Sequence, residues 1–205
     1  MISKFIGEVG LKLINWDFKY SQKLDPSVPY IYCMYPHTSF SDVYPPLFWG
    51  LKQNISFFIL VRNFVKSPIL HNILKSMHLL QIDRTAAAFK AIKEHSDKTN
   101  GSIGISIDGT REKKDSIKSG FHYISKETGM KLVIGLEDYH NKSGKKIVYL
   151  SDPFDAGNTP EESLQRFKDI LNNMCIENNL DSSKLGRYPE KMSPLKFKEK
   201  EHEVR

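Results

Sequence analysis

The sequence has few cysteines and no apolar run long enough to cross a lipid bilayer. Only two of the 205 residues are cysteines, Cys33 and Cys175, which excludes a disulfide-dense secreted fold and a cysteine-rich metal site. The most apolar stretches, 55–61 and 132–136, are far shorter than the roughly 20 residues that a membrane-spanning helix needs. No signal peptide is recognisable at the N-terminus. We therefore expect two buried thiols in a reducing compartment, no transmembrane helix and no bound metal.

Internal repeats and low-complexity tracts are also lacking, so the chain has the composition of an ordinary globular protein. With 40% hydrophobic and 11% aromatic residues, a chain of this length can bury the core of one domain. The formal net charge of +6 at pH 7 favours an anionic partner. That partner is nucleic acid, a phosphorylated small molecule or an acidic membrane surface, and charge alone does not distinguish the three.

Short apolar runs alternate along the chain with segments of helical period. Several of the runs are apolar on both faces, which is typical of strands covered on both sides. The predicted strands are 30–34, 55–61, 79–82, 102–107, 131–138 and 146–150. The predicted helices are 45–53, 67–77, 85–98, 119–128 and 160–178. This order predicts a single α/β domain with a mixed, mostly parallel sheet flanked by helices.

The two ends of the chain differ from this domain, which is predicted over 23–180. Residues 1–22 are predicted to form an amphipathic helix, which either docks on the core or lies on a membrane surface with its lysines toward the headgroups. Seven of its apolar residues share one arc of about 100°. They are Ile2, Phe5, Ile6, Val9, Leu13, Trp16 and Tyr20. Residues 181–205 are charged and without sustained period, so a loosely attached or disordered tail is predicted there.

A polar octet, YPHTSFSD at 35–42, follows the first predicted strand. His37 and Asp42 are therefore expected in a loop at the carboxyl edge of the sheet, where α/β proteins usually build their sites. If Asp42 accepts a hydrogen bond from one ring nitrogen of His37, the other nitrogen can take a proton from an alcohol. Such a base needs no nucleophilic serine, because direct attack on the carbonyl suffices where an acceptor hydroxyl and an activated thioester are bound together. A solvated loop histidine is the alternative.

A second polar segment, DGTREKKDSIKSG at 108–120, also follows a predicted strand. Gly109 lets the backbone turn close to a ligand, and Arg111 offers a planar fork for phosphate oxygens. Lys118 is the better second phosphate partner among the nearby lysines. The alternative is an Asp-Gly turn with an exposed arginine. Arg84 follows another predicted strand, either as a ligand or in a structural salt bridge.

Four blocks of the sequence resemble, in order and spacing, those of the glycerophospholipid acyltransferase family, which includes 1-acylglycerol-3-phosphate acyltransferases. The blocks are HTSFSD at 37–42, SPILHNILKSMHLLQIDR at 67–84, DGTREKKDSIKSGFHYI at 108–124 and KLVIGLED at 131–138. The resemblance covers about residues 28–155. It is greatest to the short branch without transmembrane helices, in which a proline precedes the histidine, as Pro36 does here.

The resemblance implies a glycerol-3-phosphate acyltransferase-like fold and transfer of a fatty acyl group to the free hydroxyl of a lysophospholipid. The favoured acceptor is 1-acylglycerol 3-phosphate, which would give phosphatidic acid, and the donor is acyl-CoA or an acyl carrier protein. By this resemblance His37 is the catalytic base and Asp42 orients it. The residues expected to bind the acceptor and its phosphate are Arg84, Asp108, Gly109, Thr110, Arg111 and Lys118. Neither a metal nor a cofactor besides the thioester co-substrate is expected.

The implied protein is cytoplasmic, is associated peripherally with a membrane surface and does not bind nucleic acid. Two alternatives stay open: an acyltransferase for glycerol 3-phosphate or another acceptor, and a basic lipid-binding module without catalytic activity. The sequence departs from the family pattern at three points. Asp108 stands where glutamate is usual, the asparagine common before the histidine is absent, and Gly135 replaces a frequent proline.

Overall fold

The computed structural model of the chain describes residues 2–20, 24–25, 27–37, 39–62, 79–82, 86–107 and 119–188. The strands in these ranges are β1 (Trp16–Tyr20), β2 (Ile31–Tyr35), β3 (Phe57–Arg62), β4 (Leu79–Ile82), β5 (Ser102–Ser106), β6 (Leu132–Asp138) and β7 (Lys146–Leu150). The α-helices are α1 (Ile2–Leu13), α2 (Tyr44–Gln53), α3 (Ala86–Thr99), α4 (Gly120–Thr128) and α5 (Pro160–Glu177). Short 3-10 helices span Phe40–Val43 and Ser182–Lys184.

The strands of the described ranges form one sheet of seven, in the order β1-β7-β6-β2-β5-β3-β4. Neighbouring strands are parallel, except that β6 and β7 are antiparallel. The central strand β2 and its neighbour β6 are buried along their whole length, which is typical of strands covered on both faces. The predicted α/β fold with a mixed, mostly parallel sheet is therefore confirmed.

Helices cover both faces of this sheet, as the alternating side chains of β2 show. Ile31 and Cys33 belong to an apolar cluster that includes Phe121 of α4 and Phe167 of α5. Tyr32 and Met34 belong to a second cluster, which contains buried side chains of α1 and α2. Because successive strand residues point to opposite faces, the two clusters form the two layers of the core.

The N-terminal amphipathic helix is shorter than predicted. α1 ends at Leu13, and Asn15 adopts a left-handed backbone conformation with φ of 58°. The chain then enters β1, which pairs with β7 at the edge of the sheet. The prediction of helix over 1–22 is therefore wrong for residues 14–20. The segment WDFKY at 16–20 alternates apolar and polar residues, and this period of two favours a strand.

The remaining predicted elements agree with the observed ones to within two residues wherever the structure describes them. The start of α5 is a clear example, because Thr159 Oγ1 accepts a hydrogen bond from the backbone N–H of Glu162 at 3.1 Å and Pro160 occupies the first turn. Such local signals set helix ends without help from the rest of the fold. The helix predicted at 67–77 lies outside the described residues.

The chain beyond α5 is attached to the domain as far as Tyr188, so the prediction of a loose tail from 181 is wrong for this part. Leu185 is only 2% exposed and belongs to the core. The backbone N–H of Gly186 donates to the carbonyl of Glu137 at 3.1 Å, next to the end of β6. One apolar side chain among polar neighbours has no periodicity, which is why sequence patterns did not indicate this contact. Residues 189–205 lie outside the described ranges.

Candidate active site

The histidine and aspartate of the polar octet lie side by side at the carboxyl edge of the sheet. β2 ends at Tyr35, and a short 3-10 helix over Phe40–Val43 then turns the chain back toward His37. The Nδ1 atom of His37 is 3.5 Å from Oδ2 of Asp42. The side chain of His37 is 24% exposed, whereas that of Asp42 is 2% exposed. A buried carboxylate thus faces an imidazole that a substrate can reach.

Two hydrogen bonds fix the Asp42 carboxylate, one on each oxygen. The backbone N–H of Ser39 donates to Oδ2 at 2.7 Å, and the Ser39 hydroxyl accepts from the backbone N–H of Ser41 at 3.3 Å. This reciprocal arrangement is a capping box at the start of the 3-10 helix. The hydroxyl of Tyr139 donates to Oδ1 at 2.5 Å. The carboxylate is therefore held toward His37 and is not free to rotate.

Tyr139 is a residue of the site that the sequence patterns did not indicate. It follows β6, and the Trp16 ring packs edge-on against it with ring centroids 4.7 Å apart. The ammonium group of Lys146 lies 5.7 Å from the centre of the Tyr139 ring. Burial, followed by the nearby carboxylates of Glu137 and Asp42, raises the pKa of Tyr139 above its ordinary value. The phenol therefore stays protonated and remains a hydrogen-bond donor.

Arg187 also reaches the loop that carries the pair. Its Nη1 atom donates to the hydroxyl of Ser41 at 3.1 Å, and that hydroxyl donates to Ser39 Oγ at 2.9 Å. The guanidinium carbon lies 5.4 Å from the centre of the Tyr188 ring. Because the sequence patterns placed residue 187 in a loose tail, they missed this contact as well.

The predicted acceptor-binding residues all lie outside the described ranges. They are Arg84, Asp108, Gly109, Thr110, Arg111 and Lys118. The structure does place the end of the strand that precedes Asp108, Gly109, Thr110 and Arg111, because β5 is a parallel neighbour of β2. The backbone N–H of Ile107 donates to the carbonyl of Met34 at 3.4 Å, close to the end of β2. The roles of these six residues stay predictions.

His122 and the two cysteines are further buried polar or thiol side chains of the described ranges. Nδ1 of His122 on α4 is 2.8 Å from Oγ of Ser163 on α5, and both side chains are buried. Cys33 and Cys175 are buried as expected, and burial raises the pKa of each thiol. Within the described ranges, no group of three histidine, cysteine or acidic side chains is arranged to hold a metal ion.

The fold is similar to that of a solved acyltransferase. The crystal structure of the 1-acyl-sn-glycerophosphate acyltransferase PlsC from Thermotoga maritima matches with a TM-score of 0.58, over 88% of this chain and 79% of that chain, at 14% sequence identity. No protein-family model matches the sequence, and no curated protein is significantly similar to it in sequence. At this identity the match shows the fold, and it is the fold that the four sequence blocks imply.

Proposed function

We propose that the protein is an O-acyltransferase that moves a fatty acyl group from a thioester to the hydroxyl of a lysophospholipid. The observation that carries this proposal is the oriented pair of His37 and Asp42 at the carboxyl edge of the sheet. Two further observations support it. The fold is similar to that of a 1-acyl-sn-glycerophosphate acyltransferase, and the four sequence blocks follow the order of the family.

In this proposal His37 is the general base. Its Nδ1 faces the Asp42 carboxylate, so the proton of a neutral ring lies on Nδ1 and Nε2 accepts. Nε2 takes the proton of the acceptor hydroxyl while the oxygen attacks the thioester carbonyl carbon. The tetrahedral intermediate collapses, the carbon–sulfur bond breaks, and the leaving thiolate takes the proton from the imidazolium. The products are an ester and a free thiol.

The acceptor that we favour is 1-acylglycerol 3-phosphate, which gives phosphatidic acid, with acyl-CoA or an acyl carrier protein as the donor. The net charge of +6 supports anionic substrates of this kind. The base and the carboxylate that orients it need no metal and no further cofactor for direct attack on an activated thioester.

We also infer that the protein works at a membrane surface, which α1 contacts. The residues of α1 that are buried are Gly7, Gly10 and Leu11. A Cβ atom on Gly7 would lie 2.3 Å from the backbone nitrogen of Lys52, so this face of α1 lies directly against α2. The apolar arc of the helix therefore points away from the domain. The members of the arc that lie in α1 are all exposed, namely Ile2, Phe5, Ile6, Val9 and Leu13.

A bilayer with anionic lipids matches the apolar character of this exposed face and the positive charge of the helix. The apolar arc is the kind of face that an interfacial helix inserts at the headgroup boundary. Lys4 of the same helix is exposed, whereas Lys12 pairs with Glu8 at 3.1 Å. A lysine near an anionic surface adds roughly 1 kcal/mol of attraction. Within the described ranges, no helix has the length and apolar character to pass through a bilayer.

Acceptor-dependent release of thiol tests the proposed reaction. The full chain is incubated with acyl-CoA, or with acyl carrier protein carrying the same acyl group, and with 1-acylglycerol 3-phosphate, other lysophospholipids or glycerol 3-phosphate. We expect thiol release above background with 1-acylglycerol 3-phosphate, together with formation of phosphatidic acid. No acceptor-dependent release across this panel, combined with salt-sensitive binding to anionic vesicles, would instead indicate a lipid-binding module without catalytic activity.

A further inference from the structure

We propose that Arg187 binds the phosphate of the acyl acceptor beside His37 and Asp42. This inference rests on the proposed function and assigns a role to a residue outside the four sequence blocks. It starts from the position of the C-terminal segment, which packs against the end of β6 and brings a guanidinium to the loop between the two site residues.

The backbone on the N-terminal side of Arg187 is held in place by the core. The Leu185 side chain is buried, and the Gly186 N–H donates to the Glu137 carbonyl at 3.1 Å. Gly186 has a φ of 75°, in the left-handed region that glycine adopts without steric cost. This turn directs the next residue toward the loop. The backbone of Arg187 is therefore held in place, as a residue that positions a ligand requires.

The guanidinium contacts the same short loop that carries the base and its orienting carboxylate. Nη1 donates to the hydroxyl of Ser41 at 3.1 Å, and Ser41 directly precedes Asp42 in the chain. The Arg187 residue is exposed, so an anion from solvent can approach the edge of the guanidinium, where its N–H groups point. A guanidinium can bind two oxygens of one phosphate at once, which fixes the orientation of the group as well as its position.

The chemistry of the acceptor requires its phosphate to lie near the base. In 1-acylglycerol 3-phosphate the free hydroxyl and the phosphate ester are on adjacent carbons. A cation that binds the phosphate must therefore lie close to the imidazole that deprotonates the hydroxyl. Arg187 donates to Ser41, the residue before Asp42, so its guanidinium lies at the loop that joins the two site residues. A phosphate bound there would hold the neighbouring hydroxyl at the base.

Two acceptors that share an acyl chain but differ in the phosphate test this role. The full chain and its Arg187→Gln variant are compared with 1-acylglycerol 3-phosphate and with the matching monoacylglycerol. We expect the KM for the phosphate-bearing acceptor to rise by about tenfold or more in the variant, since a charge-assisted contact is lost. The KM for monoacylglycerol should stay within about twofold of the parent value, because that acceptor offers no charge to the guanidinium.

Arg166→Gln is the matched control, because it removes the same charge from an arginine that pairs with Glu162 on α5. We expect this variant to keep the parent's KM for both acceptors. Arg187→Lys keeps the positive charge but loses the planar pair of N–H donors, so we expect an intermediate KM for the phosphate-bearing acceptor. Thermal unfolding of each variant confirms that the domain is intact. An equal KM change for the two acceptors in Arg187→Gln, or no change for either, would overturn the assignment.

Direct binding separates this inference from the proposed reaction. Binding of 1-acylglycerol 3-phosphate to the parent and to Arg187→Gln is measured by titration calorimetry without any thioester. If affinity falls about tenfold in the variant while neither protein releases thiol, the phosphate site stands and the catalytic proposal fails. If the parent transfers acyl groups and the variant binds the acceptor as tightly, the reaction stands and Arg187 has no part in it.

Discussion

The hydroxyl of Tyr139 donates a hydrogen bond to Oδ1 of Asp42 at 2.5 Å, across a sequence separation of 97 residues. The contact exists because β2 and β6 are parallel neighbours, so the loops after them leave the same edge of the sheet. It connects the carboxylate that faces His37 to the end of β6. The packing of Trp16 against the same ring extends this support to β1.

Removing the Tyr139 hydroxyl should slow the reaction and leave substrate binding nearly unchanged. In Tyr139→Phe the buried Oδ1 of Asp42 loses its hydrogen-bond donor. Of the two hydrogen bonds described above, only the one from the Ser39 N–H then holds the carboxylate toward His37. We expect kcat to fall about tenfold with little change in KM, a cost typical of one lost buried hydrogen bond. Steady-state kinetics with acyl-CoA and 1-acylglycerol 3-phosphate provide the measurement.

Tyr123→Phe serves as the control for this variant, because Tyr123 on α4 is 51% exposed. The control should keep the parent's kcat. An unchanged kcat in Tyr139→Phe would show that the hydrogen bond to Asp42 has no part in orienting the base.

Polar residues on the exposed arc of α1 should release the protein from membranes. Phe5 and Leu13 are 68% and 81% exposed, so serine at both positions removes apolar surface without opening a cavity in the core. We expect the parent to float with vesicles that contain anionic lipid and the double variant to stay mostly in solution. Ile176→Ser is the control, since Ile176 lies on α5 and is 78% exposed.

Equal flotation of the parent and the double variant would contradict a role of α1 at the membrane. A parent that forms dimers in solution and does not float, together with a double variant that stays monomeric, would show that this face binds a second copy of the chain instead. Sedimentation velocity alongside the flotation assay distinguishes the two results.

A methyl group on Gly7 should loosen the packing of α1 on α2. The new Cβ atom would lie 2.3 Å from the Lys52 nitrogen and 2.5 Å from the Phe48 carbonyl oxygen, both of them backbone atoms that cannot rotate away. We expect Gly7→Ala to lower the free energy of unfolding by about 1–3 kcal/mol, as overpacked sites do. Urea unfolding provides the measurement.

Gly120→Ala is the matched control, since a Cβ atom there has no neighbour within 4 Å. It should leave the stability nearly unchanged. If Gly7→Ala is as stable as the control, the backbones of α1 and α2 are not close enough at Gly7 to exclude a methyl group.

Protonation of His122 should destabilise the fold in mildly acidic solution. Burial, followed by the nearby Lys126, lowers the pKa of His122, and Glu161 partly opposes this shift. The unfolded chain therefore binds more protons than the folded one just below the ordinary histidine value of about 6.5, and stability falls as the pH falls through that range. In the His122→Gln variant the side chain at this position does not bind a proton, so this loss of stability is absent.

Urea unfolding of both proteins at about pH 7.5 and about pH 5.5 isolates this contribution. We expect the parent to lose more stability than His122→Gln between the two pH values. An identical loss in the two proteins would mean that other groups cause the pH dependence.

The elements and the histidine–aspartate contact were predictable because their signals are local. The apolar runs give strands, Thr159 and Pro160 set the start of α5, and a spacing of five residues allows one short turn to bring Asp42 to His37. These features depend on residues close together in the chain. The exception was β1, where five residues of alternating pattern continued the apolar arc of a helix.

The rest of the site depends on strand order, which no local pattern contains. Tyr139 reaches Asp42 only because β6 lies beside β2. Arg187 reaches Ser41 only because Gly186 is hydrogen-bonded to the end of β6. The pairing of β6 with β2 also explains why the fourth sequence block has a glycine at position 135. A Cβ atom on Gly135 would lie 2.4 Å from the sulfur of Met34, so the methionine side chain occupies that space.

The most direct test of the central claim is the rate of thiol release from acyl-CoA, with 1-acylglycerol 3-phosphate as acceptor, in His37→Ala. A general base contributes about 10²–10⁴-fold to a rate, so we expect a loss in that range, with unfolding and vesicle binding unchanged. His140→Ala, which removes an exposed histidine, should keep the parent rate. A His37→Ala protein that releases thiol as fast as the parent would contradict the assignment of His37 as the base.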